Sequence, residues 1–396
     1  MRNRRPKSRF TEIANNLPRV VLLLESSRES GRAILRGIAN YARYRGPWAF
    51  FWEPHGLDEI WPRLDELTPQ GFILRDGENV DKVISLGIPT IVVGHQRQEV
   101  PSVINLVTDS ETVGRMAAEH LLKCGFEHFA FCGIANIQWS DLRRESFQKN
   151  LMSQGRKVHF FHSNVLTNRR SMVEERSMMA AWLKKLPKPV GVMACNDDIA
   201  QKVIEACKVA EINVPDQVGV IGADNDVLVC ELFGCPISSV FINFEAAGYE
   251  AACLLDKWMR GKRTPSLKRI VALASHVVPR QSTNTLAIKD LHVVKALRFI
   301  SEHARENFGV AEVSQAAGMS RRALEIRFRS ILARSILQEI RRVRVSLIAQ
   351  MLVETNFSVS HIAESQEYES VQHIARYFRR EKGMSPVAFR KLFKRP

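Results

Sequence analysis

Two stretches toward the carboxyl end carry side chains that can read nucleic-acid bases. In the second, Val359-Ser-His-Ile362-Ala363 leads on to Val371-Gln-His-Ile374-Ala-Arg-Tyr-Phe378, where Ile374 and Phe378 stand four apart and anchor one helical face. Gln372, His373 and Arg376 then project from the other face; Gln pairs bidentately with adenine and Arg with guanine in the major groove. The first stretch, Val310 to Phe328, has the same plan. Val313, Ala316 and Ala317 make the inward stripe of one helix, Gly318 permits a sharp turn, Ser320 can cap the next helix, and Leu324 and Phe328 anchor it. Arg321, Arg322, Glu325 and Arg329 stay outside. A helical bundle with a solvated basic face would explain either stretch alone; two in tandem favour a nucleic-acid reader.

The charge distribution supports a polyanion partner. Residues 287–396 carry 20 Lys/Arg against 11 acids, residues 1–19 carry six against one, and residues 20–286 are nearly balanced at 31 against 30. A near-neutral body beside a basic module looks like a sensor joined to a polyanion binder. The chain of 396 residues is long enough for two or three domains without metal or disulfide staples. Its seven cysteines form an odd set without C-x-x-C and are read as small buried hydrophobes in a reducing compartment.

The elements that position these groups fall into two classes. From Pro18 to about Arg280, short apolar runs alternate with amphipathic helical stretches, the pattern of parallel sheets covered by helices. Val20–Leu24, Gly71–Leu74, Thr90–Val93, His128–Cys132, Val190–Ala194 and Gly219–Gly222 read as strands, and residues 31–44 as a helix with Ile34, Leu35, Ile38 and Ala39 inward. Polar turns follow the strands, so polar loops collect at the carboxyl ends, where open α/β sheets place ligands. The polar run Pro279 to Asp290 is the boundary, and beyond it the pattern is wholly helical. The division is a basic tail over 1–18 expected to be disordered, a sensor domain over 19–283, a linker over 284–292 and a helical domain over 293–396.

Several function classes find no support. There is no H-E-x-x-H, G-x-S-x-G, G-x-G-x-x-G or phosphate-binding loop motif, so neither an enzyme nor a cofactor is expected. His159 and His162 lie three apart on a predicted strand, on opposite faces, and no metal site is expected. No apolar run approaches the roughly 20 residues of a membrane span. The basic start is followed by an apolar stretch too short for a signal peptide, which predicts a cytoplasmic protein.

The Ala317-Gly-Met-Ser320 turn with Leu324 and Phe328, then Arg344, Leu352, Ser358-Val-Ser-His-Ile-Ala363 and Phe378-Arg-Arg-Glu-Lys-Gly383-Met-Ser-Pro386-Val-Ala-Phe389-Arg390, resemble the DNA-binding domain of the AraC/XylS family over about 90 residues. That resemblance implies two helix-turn-helix units joined by a long helix, here about Ile336 to Glu354, with both recognition helices entering successive major grooves. Matched by position, the base-reading candidates are Arg321, Arg322, Glu325 and Ile326, then Val371, Gln372, His373 and Arg376. Arg329 and Arg379 join them as DNA-binding candidates, since surrounding Lys and Arg would bind phosphates.

The α/β region is similar to the periplasmic-binding-protein-like core of the LacI type. The carriers are Val107-Thr-Asp109 through His120-Leu-Leu122, Arg143 four residues before Phe147, Ala194-Cys-Asn196-Asp197, Gly222-Ala-Asp224-Asn225, and Pro279-Arg280-Gln-Ser-Thr283. Such cores have two lobes, with the ligand between them, and the resemblance places crossovers near Gly133, Val240 and Gly261. A LacI-type core followed by an AraC-type domain resembles the xylose-operon regulator (XylR-like) family.

This resemblance implies a sequence-specific transcription regulator, a homodimer binding double-stranded DNA, with an effector that is a monosaccharide such as D-xylose and with RNA polymerase as partner if it activates. Sugar hydroxyls suit planar bidentate groups and an aromatic face. The ligand candidates are therefore Asp109, Trp139, Arg143, Asn196 and Asp224, with Ser26, Ser27 and Arg28 closing over the ligand. Structural ion pairs, helix caps and packed indoles are the competing readings. A non-sugar effector, and a solute-binding receptor, stay open as alternative functions.

Overall fold

The computed structural model describes residues 17–54, 67–77, 80–94, 99–163, 171–232, 234–261, 269–284, 290–332, 334–365 and 371–393. Most of the basic tail and residues 285–289 of the linker lie outside them. The chain divides into two compact units, the first made of the residues up to Asp109 with 136–139 and 243–273, the second of the rest.

The first unit is built on a six-stranded parallel sheet. Its strands are β1 (Arg19–Leu23), β2 (Ala49–Trp52), β3 (Gly71–Arg75), β4 (Thr90–Val93), β5 (Ile104–Thr108) and β11 (Arg269–Ala272), in the order β11-β5-β4-β3-β1-β2. The inner strands are apolar at their centres because helices cover both faces; Val20, Val21, Phe72, Ile73, Ile91 and Val92 are fully buried. Helices α1 (Glu29–Arg45), α2 (Val80–Ser85) and α8 (Phe244–Met259) belong to this unit. α1 and α8 approach until only glycine fits: a Cβ on Gly37 would lie 2.1 Å from the Glu245 carbonyl oxygen, and one on Gly248 2.3 Å from that of Ile34. Tyr41 on α1 donates to Asp256 Oδ2 on α8 at 3.0 Å.

The second unit holds β6 (His128–Ile134), β7 (Val158–Ser163), β8 (Val190–Ala194), β9 (Val218–Asp224), β10 (Ser238–Ile242) and β12 (Ala274–Val278), in the order β12-β10-β9-β8-β6-β7. All pairs are parallel except β10 with β12. The helices are α3 (Ser110–Lys123), α4 (Gln138–Met152), α5 (Met172–Lys185), α6 (Asp197–Val209) and α7 (Val227–Leu232).

The chain passes between units after Asp109, Ile242 and Leu273, with a short excursion at 136–139. This corrects one of the three expected crossovers: Gly261 lies just after α8, because it serves a helix end rather than a change of unit, and the passage comes after Leu273 instead.

Helices alone follow the sensor sheet among the described residues: α9 (Leu291–Glu302), α10 (Val310–Ala316), α11 (Arg321–Leu332), α12 (Ile336–Glu354), α13 (Val359–Ser365), α14 (Val371–Lys382) and α15 (Pro386–Phe393). They form two cores. Val293, Leu297, Val313, Leu324, Phe328 and Ile340 fill the first, and Val345, Ile348, Leu352, Ile362, Ile374 and Phe378 fill the second. α12 supplies residues to both, Ile336 and Ile340 to one and Val345 to Val353 to the other, and so connects them rigidly.

Candidate nucleic-acid interface and effector site

Each of the two helices is fixed from behind by its anchors, and the first is capped at its start. Gly318 adopts φ +64°, the left-handed turn that glycine takes without strain, and Ser320 Oγ accepts from Ala323 N at 3.4 Å at the start of α11. Leu324 and Phe328 are fully buried, and this turns Arg321, Arg322, Ile326 and Arg329 to the exposed face. Ile326 is 61% exposed, a position from which an apolar side chain can meet a thymine methyl.

Glu325 stands apart from the other candidates on α11. Its Oε1 accepts from Arg329 Nε at 3.1 Å and its Oε2 from the Ile336 backbone N–H at 3.2 Å, so it ties the reading helix to the first residue of α12.

On α14, Ile374 and Phe378 are buried while Gln372, Arg376 and Arg379 are exposed. The Arg376 guanidinium lies 5.4 Å from the centre of the Tyr377 ring, which stiffens it. Val371 is part-buried and packs on the second core rather than outward. His373 lies on the same helix.

The second unit's sheet holds the other polar set. β9 ends in Asp224 at φ +99° and is followed by Asn225 at +53°, conformations that cost a side-chain-bearing residue on the order of 1–3 kcal/mol each. α4 brings Arg143 beneath them, 1% exposed, with Nη2 donating to Asp224 Oδ1 at 3.0 Å and Nη1 donating to the Cys195 carbonyl. The two come from positions 81 apart, and the Asp224 carboxylate keeps 21% exposure. Asn196 caps α6, its Oδ1 accepting from Ile199 N at 3.0 Å. α3 packs closely on α4, since a Cβ on Gly114 would lie 2.5 Å from the Arg143 carbonyl oxygen.

In the first unit, Ser26, Ser27 and Arg28 occupy the turn between β1 and α1. Ser27 Oγ donates to Glu25 Oε1 at 3.0 Å, and Arg32 Nη1 holds the Ser26 and Ser27 carbonyls at 3.0 and 2.9 Å. Asp109 follows β5, its backbone N–H donating to the Ala272 carbonyl at 3.0 Å, and Trp139 is part-buried in the first turn of α4.

Sequence reasoning passed over two further groups. Arg75 ends the otherwise apolar strand Gly71–Arg75; its Nη2 donates to Ser30 Oγ at 3.4 Å, and its buried Nε has no hydrogen-bond partner among the described residues. The signal was an arginine closing an apolar run. Asp197 is 2% exposed, accepts from Ser239 Oγ at 2.6 Å and from Asp226 N at 2.8 Å, and so pins the turn that follows Asp224. Burial, with Asp224 nearby, pushes its carboxyl well above the usual range.

Five of the seven cysteines are buried and all are free thiols. Burial pushes Cys195 and Cys207 up to about 12, which makes them packing groups at neutral pH. No helix among the described residues is long and apolar enough to cross a membrane, and no group of three or more His, Cys, Asp or Glu among them could hold a metal ion.

Residues 118–283 match the periplasmic binding protein-like domain, and residues 313–392 match a helix-turn-helix domain. The chain is thus a DNA-binding transcription regulator that joins a periplasmic-binding-protein-like domain to a helix-turn-helix domain. It is similar over 94% of its length to the xylose operon regulatory protein of Haemophilus influenzae, at 29% identity covering 98% of that protein. The protein of the same name from Escherichia coli K12 is 26% identical over 94% of this chain and 96% of its own. The solved structure of the xylose-binding transcription activator xylR has the same fold, with a TM-score of 0.60 and 24% identity over 96% of this chain and all of that one.

Proposed function

We propose that this regulator answers a small monosaccharide, of the pentose type exemplified by D-xylose, and that the sugar engages Arg143 and Asp224. The observation that carries the reading is the similarity, across 384 residues and almost the whole of both chains, to a protein named for the xylose operon. The chemistry supports it. A guanidinium fixed by a backbone carbonyl, and a part-exposed carboxylate held beside it, offer donors and acceptors in fixed directions, as vicinal hydroxyls require.

Asp109, Trp139 and the Ser26, Ser27 and Arg28 turn are proposed as further ligand contacts, with Trp139 offering an aromatic face. Asn196 contributes through its amide nitrogen, since its carbonyl oxygen is used by the helix cap. The exposed Arg321, Arg322, Ile326, Gln372 and Arg376 read bases, with His373 on the same helix, and Arg329 and Arg379 hold phosphates. Glu325 and Val371 then act by shaping the reading helices. The proposed division is a tail to residue 18, a sensor over 19–283, a linker over 284–292 and the DNA-binding domain from 293. The protein works in the cytoplasm as a homodimer, recruits RNA polymerase when it activates, and catalyses no reaction.

Thermal unfolding against a panel of monosaccharides at millimolar concentration tests the sensor. A sugar at 100 times its dissociation constant adds about 2.7 kcal/mol of stability. A shift confined to one or a few pentoses is the expected result, and no shift with any sugar overturns the sugar reading while leaving the DNA-binding class intact.

A further inference from the structure

We propose that the short turn Arg280–Thr283 couples the effector site to the DNA-binding helices, with Asn225, Arg280 and Thr283 as its positioning residues. The inference rests on the reading of Arg143 and Asp224 as effector contacts. It adds the route by which that site reaches the rest of the molecule.

The route is continuous in hydrogen bonds. Asn225, next to Asp224 on the strained end of β9, accepts from Arg280 Nη2 through its Oδ1 at 2.9 Å, and Arg280 Nη1 donates to the Ile237 carbonyl at 3.0 Å. The Arg280 backbone N–H donates to Ser238 Oγ at 2.7 Å, and Ser238 Oγ lies 2.7 Å from Thr283 Oγ1. Thr283 Oγ1 in turn lies 2.8 Å from His120 Nε2 on α3.

Position in the chain gives this network its meaning. Thr283 closes the 3-10 turn Gln281–Thr283, and Asp290 already caps the first helix of the DNA-binding domain, only seven positions later. The last anchored hydroxyl of the sensor therefore sits where the chain leaves it.

A second contact reaches the same domain from the side. β12 packs against α12, and Phe241 of β10, stacked on His276 at 5.1 Å, lies against the second helical core. Movement of Asn225 is thus transmitted to the turn that sets the exit direction, on a sheet edge against which the DNA-binding domain rests.

The strain at Asp224 and Asn225 supplies a reason for two arrangements. A carboxylate held at φ +99° is poised to relax when a ligand replaces part of its contact with Arg143. Any such relaxation pulls on Arg280 through a single hydrogen bond to the neighbouring residue.

Hydrogen exchange of the full-length protein decides the matter. Asn225→Gly removes the amide acceptor and keeps the left-handed backbone free of strain, Thr283→Val removes one hydroxyl at nearly constant volume, and Thr283→Ser restores it. Exchange is read over α9 (Leu291–Glu302), with β8 (Val190–Ala194) as a control for general loosening. The expected result is that Asn225→Gly and Thr283→Val each change exchange in α9 by about fivefold or more while β8 keeps its protection, and Thr283→Ser behaves as the wild type. A purely local role would confine the effect to β9 and α7, and unchanged α9 in both variants overturns the proposal.

Should Thr283→Val lose its fold, Asn225→Gly alone decides. A parallel series with D-xylose separates this inference from the reading beneath it. No thermal shift of the wild type by D-xylose, together with changed α9 exchange in Asn225→Gly, sinks the D-xylose assignment and keeps the coupling route. A thermal shift by D-xylose that alters α9 exchange equally in wild type and variants keeps the sugar reading and overturns the route.

Discussion

Arg143 and Asp224 form an ion pair in which the cation is buried and the anion is not: the guanidinium is 1% exposed, while the carboxylate keeps 21% exposure and sits on a backbone at φ +99°. The buried partner is fixed by the Cys195 carbonyl, so the exposed partner is the one able to exchange contacts. This asymmetry suits recognition better than it suits stability, since a pair built only for stability would hide both charges or neither.

Removing the buried member should be felt in both properties. Arg143→Met is expected to abolish any sugar-induced thermal shift and to lower unfolding free energy by about 2 kcal/mol. That is less than the 3–5 kcal/mol of a fully buried broken pair, because water can still reach Asp224. Asp224→Asn should lose the sugar response at a smaller cost in stability. Urea titration and the thermal panel, run on both variants, check the order.

On the reading face, Arg322→Ala, Gln372→Ala and Arg376→Ala are each expected to weaken specific DNA binding by about 1–3 kcal/mol and to relax one position of the site. Arg379→Ala should instead weaken binding evenly across sequences and reduce the salt slope by about one. Gel shifts across a salt series and a set of single-base operator variants distinguish the two classes.

Glu339 is 2% exposed between Arg334 and Arg342, accepting from Arg342 Nη2 at 2.6 Å and lying 2.5 Å from Arg334 Nε. Burial alone would raise its carboxyl, but the two guanidinium groups hold it below the usual carboxylate value. Glu339→Gln is therefore expected to cost about 2 kcal/mol, because two cations are left facing each other but, at 18% and 28% side-chain exposure, are still reached by water. Chemical denaturation of the full chain measures it. A loss below 1 kcal/mol would mean that the site relaxes around the missing charge.

His120 makes stability depend on pH. Burial, with Arg342 and Lys123 adding to it, pushes the imidazole down to about 3, and Thr283 Oγ1 at 2.8 Å satisfies its Nε2. The unfolded chain binds this proton more readily than the native one, so the contribution is fully present above the ordinary histidine value near 6.5 and is lost as pH falls toward 3. At pH 5.5 the expected loss is on the order of 1 kcal/mol relative to pH 8. His120→Gln should flatten that portion of the curve, as read by urea unfolding at each pH.

The sequence was most legible where one pattern had one physical cause. Thr90–Val93 and Val190–Ala194 are apolar because helices cover both faces, and their bounds are those read from the residues. The connector Ile336–Glu354 was placed by the family resemblance rather than by periodicity, since its apolar positions serve two cores in turn and so do not keep to one face. β2 was missed although Gly46-Pro47 and Pro54 frame it, because an edge strand is only half-buried and the four residues Ala49–Trp52 are too short an apolar run to tell strand from helix. β12 was missed because the antiparallel strand is short and carries Ser275 and His276, both buried by neighbours that no local pattern reveals.

The polar sites divide in the same manner. Arg143 and Asp224 could each be picked out as polar groups beside strands or helix starts, but their pairing across 81 positions belongs to the tertiary fold. Glu325 looked like one more outward residue of a reading helix. Its bond to the Ile336 backbone N–H depends on where α12 begins, which periodicity alone does not specify.

The single helix that enters both cores has a further consequence for the DNA this protein can accept. Its 19 residues span about 28 Å, a little less than one turn of the double helix, and they hold the two reading units at a fixed phase. One residue inserted at its middle would turn one unit by about 100° against the other and advance it by about 1.5 Å. On the proposed reading, in which both units contact DNA, the operator has a built-in metre: its two contacted segments keep their spacing to the base pair, and half a turn of extra DNA between them leaves one unit facing away from the groove.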